Sequence, residues 1–410
     1  MENISVLPAG SSLREKDKMK KRIRYYLNKL NTIEGYNFIS AGIEEDVTGA
    51  RVYLVLSGGT ETQIINTVGD TEEPIILIAH PYDNSFAAAL EIVAYLQAKD
   101  KKVKIVQTVG DWKNSLEELL EVYTFGLSFE GKKIGRMGHE KFTRHPFAES
   151  IKDLIKKNWG PEIIDISLSE LEDYLPEIED GEKVTRLTDE LLGNSTEIVE
   201  PDNGKIKEAV KIYFALKDIV NKYDLSGIAV KCFDLLPILE NTACYALAKL
   251  NDEGKIAACE GDVVSALGMI MLYELTDEEV FLANPSKVDL DKKEITFAHC
   301  TIPMNMCEEY TIRSHFESGI GVALQGNLYK DNYTMARLGG KNLDDIFVAQ
   351  GNLIQDEYSS DLCRTQLTLR LNNYEDVEAF LNSPLGNHHL IVKGDYKEKI
   401  MSYYNLFLGK

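Results

Sequence analysis

Short continuous apolar runs alternate with longer amphipathic segments through the first two thirds of the chain. The runs are typical of buried strands, and segments with apolar residues at every third or fourth position are typical of helices. The predicted strands are residues 51–56, 74–79, 103–108, 133–136, 226–232 and 256–259. The predicted helices are residues 86–97, 114–122, 148–157, 205–222, 242–250 and 263–273. This alternation predicts parallel sheets covered by helices.

The pattern changes in the last third of the chain, where apolar and polar positions alternate in steps of two. Such segments, separated by Gly, Asn and Asp, predict antiparallel strands. They are residues 294–298, 321–326, 333–338, 346–350, 366–371 and 390–393, and a helix is predicted at 397–407. We therefore expect the α/β class, with two doubly wound α/β domains followed by a C-terminal antiparallel β domain of barrel-like form. The expected boundaries are 1–150, 151–290 and 291–410.

Composition limits the classes of function. The 410 residues are 44% hydrophobic, which is enough for a sizeable core. A net charge of −21 argues against nucleic acid and anionic membranes as partners, because both require basic surfaces. The chain has neither a stretch of about 20 apolar residues that could span a membrane nor a hydrophobic leader, so we expect a cytoplasmic location. Its six cysteines form no CxxC pair, and this indicates neither a zinc knuckle nor a disulfide framework.

Two carboxylates follow the predicted strand at 256–259. Glu260 and Asp262 stand between that strand and the predicted helix at 263–273. Ligands and catalytic groups collect at strand ends in open α/β sheets. Such a pair can bind a divalent metal or act as acid and base. Asp262 alternatively caps the helix, since aspartate is favoured at that position.

Histidines are the second group of candidate site residues. His388 and His389 lie between a turn and the predicted strand at 390–393, and neutral imidazole suits Mn, Fe, Co and Zn. Adjacent strand residues point to opposite faces, so at most one of the two faces a site. His299 and His315 can each hydrogen-bond a substrate hydroxyl or serve as structural histidines.

Other polar residues are candidates for substrate binding. His80 and Asn84 lie in a loop after a predicted strand and can cradle a polyol, although Asn84 and Ser85 are alternatively helix caps. A basic pocket for a phosphorylated or sulfonated substrate can come from Arg313, Arg337 and Arg364. The full set that we predict for substrate binding is His80, Asn84, His299, His315, Glu317, Arg364 and Asn387.

Several separated motifs resemble one enzyme family. Residues 258–262 (Ala-Cys-Glu-Gly-Asp), 281–284 (Phe-Leu-Ala-Asn), 298–300 (Ala-His-Cys) and 386–388 (Gly-Asn-His) resemble the C-terminal half of the L-fucose isomerase and L-arabinose isomerase superfamily. The loop at 80–85 resembles the N-terminal region of its divergent fucose isomerase-like branch. The resemblance implies the same architecture of two α/β domains and a β-rich domain. It also implies a trimer or hexamer in which the N-terminal domain, with His80 and Asn84, reaches a neighbouring subunit's site.

The resemblance further implies a metal-dependent sugar isomerase, which interconverts an aldose and a ketose through an enediol. The divalent metal would be Mn²⁺ first, with Co²⁺, Fe²⁺ or Mg²⁺ as alternatives. Glu260 and His388 match two of the family's metal ligands, and the third, an Asp in the family, falls on Asn284. The expected catalytic residues are Glu260, Asn284 and Asp262.

The departure at Asn284 leaves alternatives open. An asparagine can bind a metal through its carbonyl oxygen, but it is neutral and cannot act as a general base. The same scaffold can therefore carry a lyase or an epimerase, or a sugar-binding protein without catalysis. In each case the expected partner is a small sugar or sugar derivative.

Overall fold

The computed structural model describes residues 1–11, 15–138, 151–354 and 358–409. The chain forms two compact units. The first comprises residues 1–128 with the chain end from Met401, and the second comprises residues 129–400. The second unit contains both a parallel and an antiparallel sheet, while the three-domain division of the sequence analysis stays a prediction. No helix in the described ranges combines the length and apolar character needed to cross a bilayer.

The first unit contains a five-stranded parallel sheet in the order β2-β1-β3-β4-β5. Its strands are β1 (Glu2–Ala9), β2 (Tyr36–Ser40), β3 (Arg51–Val55), β4 (Ile75–Ala79) and β5 (Val103–Gln107). The helices that alternate with them are α1 (Lys16–Leu30), α2 (Glu61–Val68), α3 (Ser85–Gln97) and α4 (Trp112–Phe129). All five residues of β4 are buried, in agreement with its continuous apolar run.

The second unit contains a four-stranded parallel sheet in the order β7-β6-β8-β9. The strands are β6 (Lys133–Met137), β7 (Glu162–Ile166), β8 (Gly227–Val230) and β9 (Ile256–Ala258). The helices are α5 (Ile151–Trp159), α6 (Leu168–Tyr174), α7 (Glu182–Asn194), α8 (Asn203–Lys222), α9 (Leu236–Leu239), α10 (Cys244–Asp252) and α11 (Val263–Thr276). The helix predicted at 148–157 begins outside the described residues and is observed from Ile151 onward.

An antiparallel sheet follows in the same unit, with the order β10-β11-β16-β15-β14-β17, and β17 pairs in turn with β10. A separate hairpin is formed by β12 and β13. The elements are β10 (Val280–Asp289), β11 (Glu294–His299), β12 (Cys307–Arg313), β13 (Ala323–Leu328), β14 (Asn332–Gly339), β15 (Asp345–Ile354), β16 (Thr365–Leu371), α12 (Tyr374–Asn382), β17 (His389–Lys393) and α13 (Lys397–Tyr403). The predicted parallel α/β sheets and C-terminal antiparallel sheet are thus confirmed.

Helix α11 connects the two sheets of the second unit. It packs against β6, β8 and β9 of the parallel sheet and against β10, β14 and β17 of the antiparallel sheet. Twelve of its fourteen residues are buried, as expected of a helix that is apolar on every face. The N-terminus of α11 therefore lies where strands of both sheets end.

Candidate metal centre

The turn between β9 and α11 sets the position of the first acidic side chain. Glu260 has a left-handed backbone conformation (φ 59°) and is followed by Gly261, also at positive φ. The Gly261 N–H donates to the carbonyl oxygen of Val230 on the neighbouring strand (3.0 Å). A non-glycine residue in this conformation is uncommon and is often found at functional sites. The turn ends at Asp262, whose side chain caps α11 by accepting the Ser265 N–H (2.8 Å).

Sheet register brings two histidines to the same edge. In the pairing of β10 with β11, Asn284 lies opposite Ala298, the residue before His299. On the other side of β10, β17 begins at His389, immediately after His388. The ends of three adjacent strands therefore place His299 and His388 close together.

Glu260, His299 and His388 form a cluster with the spacing of a metal site. One ligand atom from each lies within 4.8 Å of the others. His388 Nε2 is 3.4 Å from Glu260 Oε2, and His299 Nε2 is 3.9 Å from Glu260 Oε1. Two imidazoles and one carboxylate are a donor set found in sites for divalent transition metals.

Each histidine is oriented by a contact to its other ring nitrogen. Asp262 Oδ2 lies 2.9 Å from His388 Nδ1, and Thr301 Oγ1 lies 3.1 Å from His299 Nδ1. A carboxylate behind a histidine is the usual arrangement for fixing a metal-binding imidazole, since it determines the tautomer and the ring orientation. In both residues Nε2 is left to face Glu260.

Asp262 is itself held by a buried network. Arg337 Nη1 lies 3.2 Å from Asp262 Oδ2 and donates to Ser265 Oγ (2.5 Å). The Ser265 hydroxyl donates to Asp262 Oδ2 (2.7 Å). Asp262 therefore caps the helix and also orients His388, so both of its predicted roles are compatible in one side chain.

Charges within the cluster move the pKa values in opposite directions. Burial opposes ionisation of Asp262, but Arg337 and His388 hold its pKa well below the usual range. Burial alone would lower the pKa of His388, yet the carboxylates of Asp262 and Glu260 raise it to about 9. Burial and the charge of His388 lower the pKa of His299 to about 3. Despite its burial, Glu260 has a lowered pKa because His388 stabilises its carboxylate.

A divalent metal fits these residues. His388 Nε2 is buried and has no hydrogen-bond partner within the described ranges, although a buried polar nitrogen normally has one. The carboxylate of Glu260 provides negative charge beside it, and His299 is neutral and can donate its lone pair. A cation bound between the three would satisfy the unpaired nitrogen.

Asn284, the third ligand implied by the resemblance, has a different contact in the structure. Its side-chain oxygen accepts a hydrogen bond from Asn387 Nδ2 (3.1 Å). Sequence reasoning assigned His299 to substrate binding and did not include it among the ligands. The signal that was missed is pairing, because His299 follows the cross-strand neighbour of Asn284.

Three other residues predicted to bind substrate lie in or beside the loop between β12 and β13. His315 Nδ1 lies 2.9 Å from Ser318 Oγ, and Arg364 donates to both oxygens of Ser314. Glu317 is exposed. The charge of Glu260 acts on His315, and that of His315 acts on His299, so this loop lies within electrostatic range of the cluster.

His80 and Asn84 belong to the first unit. His80 is buried, its Nε2 lies 3.1 Å from the carbonyl oxygen of Leu56, and its ring stacks on Tyr26. Asn84 has a left-handed conformation and makes no side-chain cap bond to α3. It borders a cavity of about 480 Å³ together with Gly58, Gly59, Glu61, Asp83, Ala87, Ala88 and Glu91. Their role in substrate binding stays a prediction.

Two curated proteins are similar in sequence to this chain over substantial lengths. A sulfoquinovose isomerase of Alkalicoccus urumqiensis is 21% identical over 374 residues, which are 89% of this chain and 77% of the relative. A sulfoquinovose isomerase of Clostridium sp. (strain MSTE9) is 24% identical over 203 residues, 47% of this chain and 45% of the relative. No family model matches the chain.

The similarity to these proteins supports the prediction of an enzyme, and specifically of a sugar isomerase. It agrees with a relationship to the fucose and arabinose isomerase superfamily. The cluster of Glu260, His299 and His388 is in turn consistent with dependence on a metal.

Proposed function

We propose that this protein is a metal-dependent aldose–ketose isomerase whose metal is held by Glu260, His299 and His388. The observation that carries the proposal is the convergence of these three side chains, with an orienting contact behind each histidine. The curated relatives, which are named as isomerases of a sulfonated sugar, support the same reaction class. A sulfonated aldose is accordingly the first substrate to test.

The residues divide the chemistry among them. A divalent metal held by Glu260, His299 and His388 would act as a Lewis acid and polarise the carbonyl group of an open-chain sugar. Glu260, kept as a carboxylate by its neighbours, accepts the proton from C2 and returns it to C1 through an enediol. The hydroxyl proton moves from O2 to O1. Asp262 and Arg337 hold His388 in the orientation that the site requires.

Two imidazoles and a carboxylate suit divalent transition metals such as Mn²⁺, Fe²⁺, Co²⁺ and Zn²⁺, whereas Mg²⁺ prefers a shell of oxygen ligands. We take Mn²⁺ as the first candidate because the resemblance to the fucose and arabinose isomerases implies it.

Isomerisation is favoured over the alternatives that Asn284 raised. A lyase, an epimerase or a non-catalytic binder was considered because a neutral amide in place of a carboxylate weakens a metal site. With His299 as the third donor, the site has two imidazoles and one carboxylate without Asn284. A metal site of this kind does not require a carboxylate at position 284, and the relatives named as sugar isomerases favour isomerisation among these reactions.

Metal content measured by elemental analysis tests the ligand set. The wild type, H299A, H388A and N284A are purified without chelator, incubated with equal Mn²⁺ and desalted. We expect about one metal per chain in the wild type and in N284A, and loss of metal in both histidine variants. Retention in H299A together with loss in N284A would assign the third ligand to Asn284.

Activity is tested separately with NMR detection of the ketose formed from sulfoquinovose. The wild type with Mn²⁺ is expected to convert the aldose, and E260Q is expected to lose turnover. Full activity in E260Q, or a product with a different number of carbons, would refute the proposal.

A further inference from the structure

Three buried or partly buried arginines were candidates for a basic pocket, and the structure separates their roles. Arg337 belongs to the network behind His388. Arg313 uses all three guanidinium nitrogens. Its Nε and Nη2 donate to the Glu200 carboxylate, and its Nη1 donates to Gln325 Oε1 (2.7 Å). Arg337 Nε also lacks a partner among the described residues, but it is fully buried against Gly386, so a ligand cannot reach it. Arg364 has a guanidinium nitrogen left for a ligand.

Arg364 is 9% exposed and is held from one side. Its Nε donates to the Ser314 carbonyl oxygen (2.8 Å) and its Nη2 to the Ser314 hydroxyl (3.1 Å). The guanidinium also lies over the ring of Phe316, 5.9 Å from the ring centroid. Its Nη1 has no hydrogen-bond partner among the residues that the structure describes, so two oriented N–H groups remain available.

His315 provides a second donor beside Arg364. The backbone N–H of Ser318 donates to His315 Nδ1 (3.3 Å), so Nδ1 is an acceptor and the neutral ring carries its proton on Nε2. Burial and the positive charge of Arg364 lower the pKa of His315, which keeps the ring neutral at pH 7. His315 is 8% exposed, and its Nε2 has no partner in the described part of the chain. It is therefore an unused N–H donor.

The charge around these donors matches a monoanion. Arg313 and Arg364 contribute two positive charges, and Glu200, which lies 2.6 Å from Arg313 Nη2 and 3.6 Å from Arg364 Nη2, contributes one negative charge. These three residues together carry one positive charge, and the further carboxylate on this loop, Glu317, is exposed to solvent. A sulfonate carries one negative charge and three acceptor oxygens, which suits a planar guanidinium and one imidazole N–H.

The donors are also close enough to the metal centre to serve one substrate. The charges of Arg364 and Glu260 both act on His315, and His315 acts in turn on His299. Thr365, the residue after Arg364, is the cross-strand partner of His299 in the pairing of β11 with β16. Strand pairing therefore places Arg364 next to His299, a member of the cluster.

We propose that Arg364 Nη1 and His315 Nε2–H bind the sulfonate of a sugar whose C1–C2 end lies at the metal centre. This assignment names the substrate class of the isomerase and rests on the proposed function. It makes Arg364 a residue of specificity, because the sulfonate takes no part in the proton transfer.

Kinetics with two substrates that differ in one group test the assignment. Sulfoquinovose and 6-deoxyglucose are compared in the wild type, in R364M and in R370M. Arg370 lies on β16, the strand that begins directly after Arg364, but it is exposed and pairs with Glu294. R370M is therefore the matched control. We expect R364M to raise the KM for sulfoquinovose about 30- to 100-fold. Its kcat/KM for 6-deoxyglucose should stay within about twofold of the wild type, and R370M should change neither.

Binding of methanesulfonate to the wild type, followed by calorimetry and by NMR of the His315 ring, separates the two proposals. Binding that R364M or H315F abolishes, without any sugar turnover, supports the sulfonate site and refutes the isomerase. Normal turnover of sulfoquinovose with an unchanged KM in R364M refutes the sulfonate site and leaves the isomerase intact.

Two further measurements keep the test decisive. If R364M does not fold, R364K retains the positive charge but lacks the planar fork, and it should still raise the KM for sulfoquinovose. A wild-type preference for glucose 6-phosphate over sulfoquinovose would show that the site is built for a dianion and would overturn the assignment.

Discussion

Asp262 shows how much one side chain can decide at the scale of a residue. It caps α11, accepts the Ser265 hydroxyl, pairs with Arg337 and orients His388. Both alternatives for this residue, a helix cap and a site carboxylate, are compatible with its position. Because Asp262 and Arg337 are buried, each depends on the other for charge compensation.

The substitution Asp262→Asn tests that dependence. Asparagine keeps the shape and the cap acceptor but leaves the charge of Arg337 buried without a counterion. We expect the free energy of unfolding to fall by about 3 kcal/mol and the affinity for Mn²⁺ to weaken about 10- to 100-fold. Chemical denaturation and metal titration measure the two effects.

Asp202→Asn is the matched control for this change. Asp202 caps α8 through the Lys205 N–H (2.9 Å) in the same way, but it is exposed. Its substitution should change stability by less than about 0.5 kcal/mol and leave metal affinity unaltered. Equal effects of the two substitutions would reduce the role of Asp262 to capping.

Asp252 predicts a dependence of stability on pH that does not involve the metal centre. Burial raises the pKa of Asp252 to about 7, and the negative charge of Glu279 also raises it. The hydrogen bond from the Asn305 N–H and the positive charge of Lys249 lower it, but by less. An unfolded aspartate has a pKa of about 4, so the folded state binds this proton more tightly and loses stability as the pH rises from about 4 to about 7. Asp252→Asn removes this loss.

We therefore expect D252N to be more stable than the wild type at pH 8, by about 2 kcal/mol, and equally stable near pH 4. Thermal unfolding at both pH values measures the difference. A stabilisation of the same size at both pH values would show that the effect is not due to ionisation of Asp252.

At the scale of elements, the buried helix α11 packs against both sheets of the second unit and begins at the candidate metal centre. Gly268 in this helix faces β17 and β14. A Cβ atom there would lie 2.5 Å from Leu390 Cδ1 and 3.4 Å from Leu338 Cδ1. The absence of a side chain at 268 thus allows the helix to approach the antiparallel sheet.

Two glycine-to-alanine substitutions in helices should therefore have opposite effects. G268A is expected to destabilise the protein by about 1–3 kcal/mol through overpacking. G193A, in α7, meets no atom within 4 Å and is expected to stabilise it by about 0.5–1 kcal/mol through higher helix propensity. Denaturant unfolding measures both, and a stabilising G268A would contradict the close packing of α11.

At the scale of the whole molecule, the net charge of −21 makes local basic groups important for an anionic substrate. The field of such a protein disfavours the approach of anions in general. Buried arginines at a single site can then select an anionic sugar without making the surface basic.

The resemblance predicts a trimer or hexamer, and light scattering after size exclusion tests it. Tyr82, on the loop after β4 that the resemblance places near a neighbouring subunit, is 67% exposed. We expect a trimer or hexamer for the wild type and dissociation in Tyr82→Glu. Tyr374→Glu, at an exposed position of α12, serves as the control. A wild-type monomer would contradict the prediction, and so would an intact Tyr82→Glu assembly.

Some of the elements that the sequence pattern did not predict have local reasons. Strand β10 contains Pro285, which argues against a strand, but a register shift between Pro285 and Lys287 accommodates it. Strand β12 contains two adjacent glutamates and a register shift near Cys307, which breaks the alternation. Strand β1 and helix α1 precede the first predicted strand, and α1 buries only Tyr26 and Leu30 among many charged residues.

The sequence by itself determined the class of fold and pointed to three residues of the proposed site. Continuous apolar runs and period-two segments specify parallel and antiparallel sheets, because burial on two faces or on one dictates those patterns. The sequence pointed to Glu260, Asp262 and His388 because each lies next to the end of a predicted strand. Ligands and catalytic groups collect at such strand ends.

Only the tertiary structure decided which groups meet. His299 lies beside Glu260 and His388 because β10 pairs with β11 on one side and β17 on the other, and strand pairing between distant segments is not contained in local periodicity. The choice of Arg364 among three arginines likewise depended on long-range ion pairs, because Arg313 pairs with Glu200 and Arg337 pairs with Asp262. Long-range register and charge pairing are properties of the folded chain, and they determine the chemistry of this site.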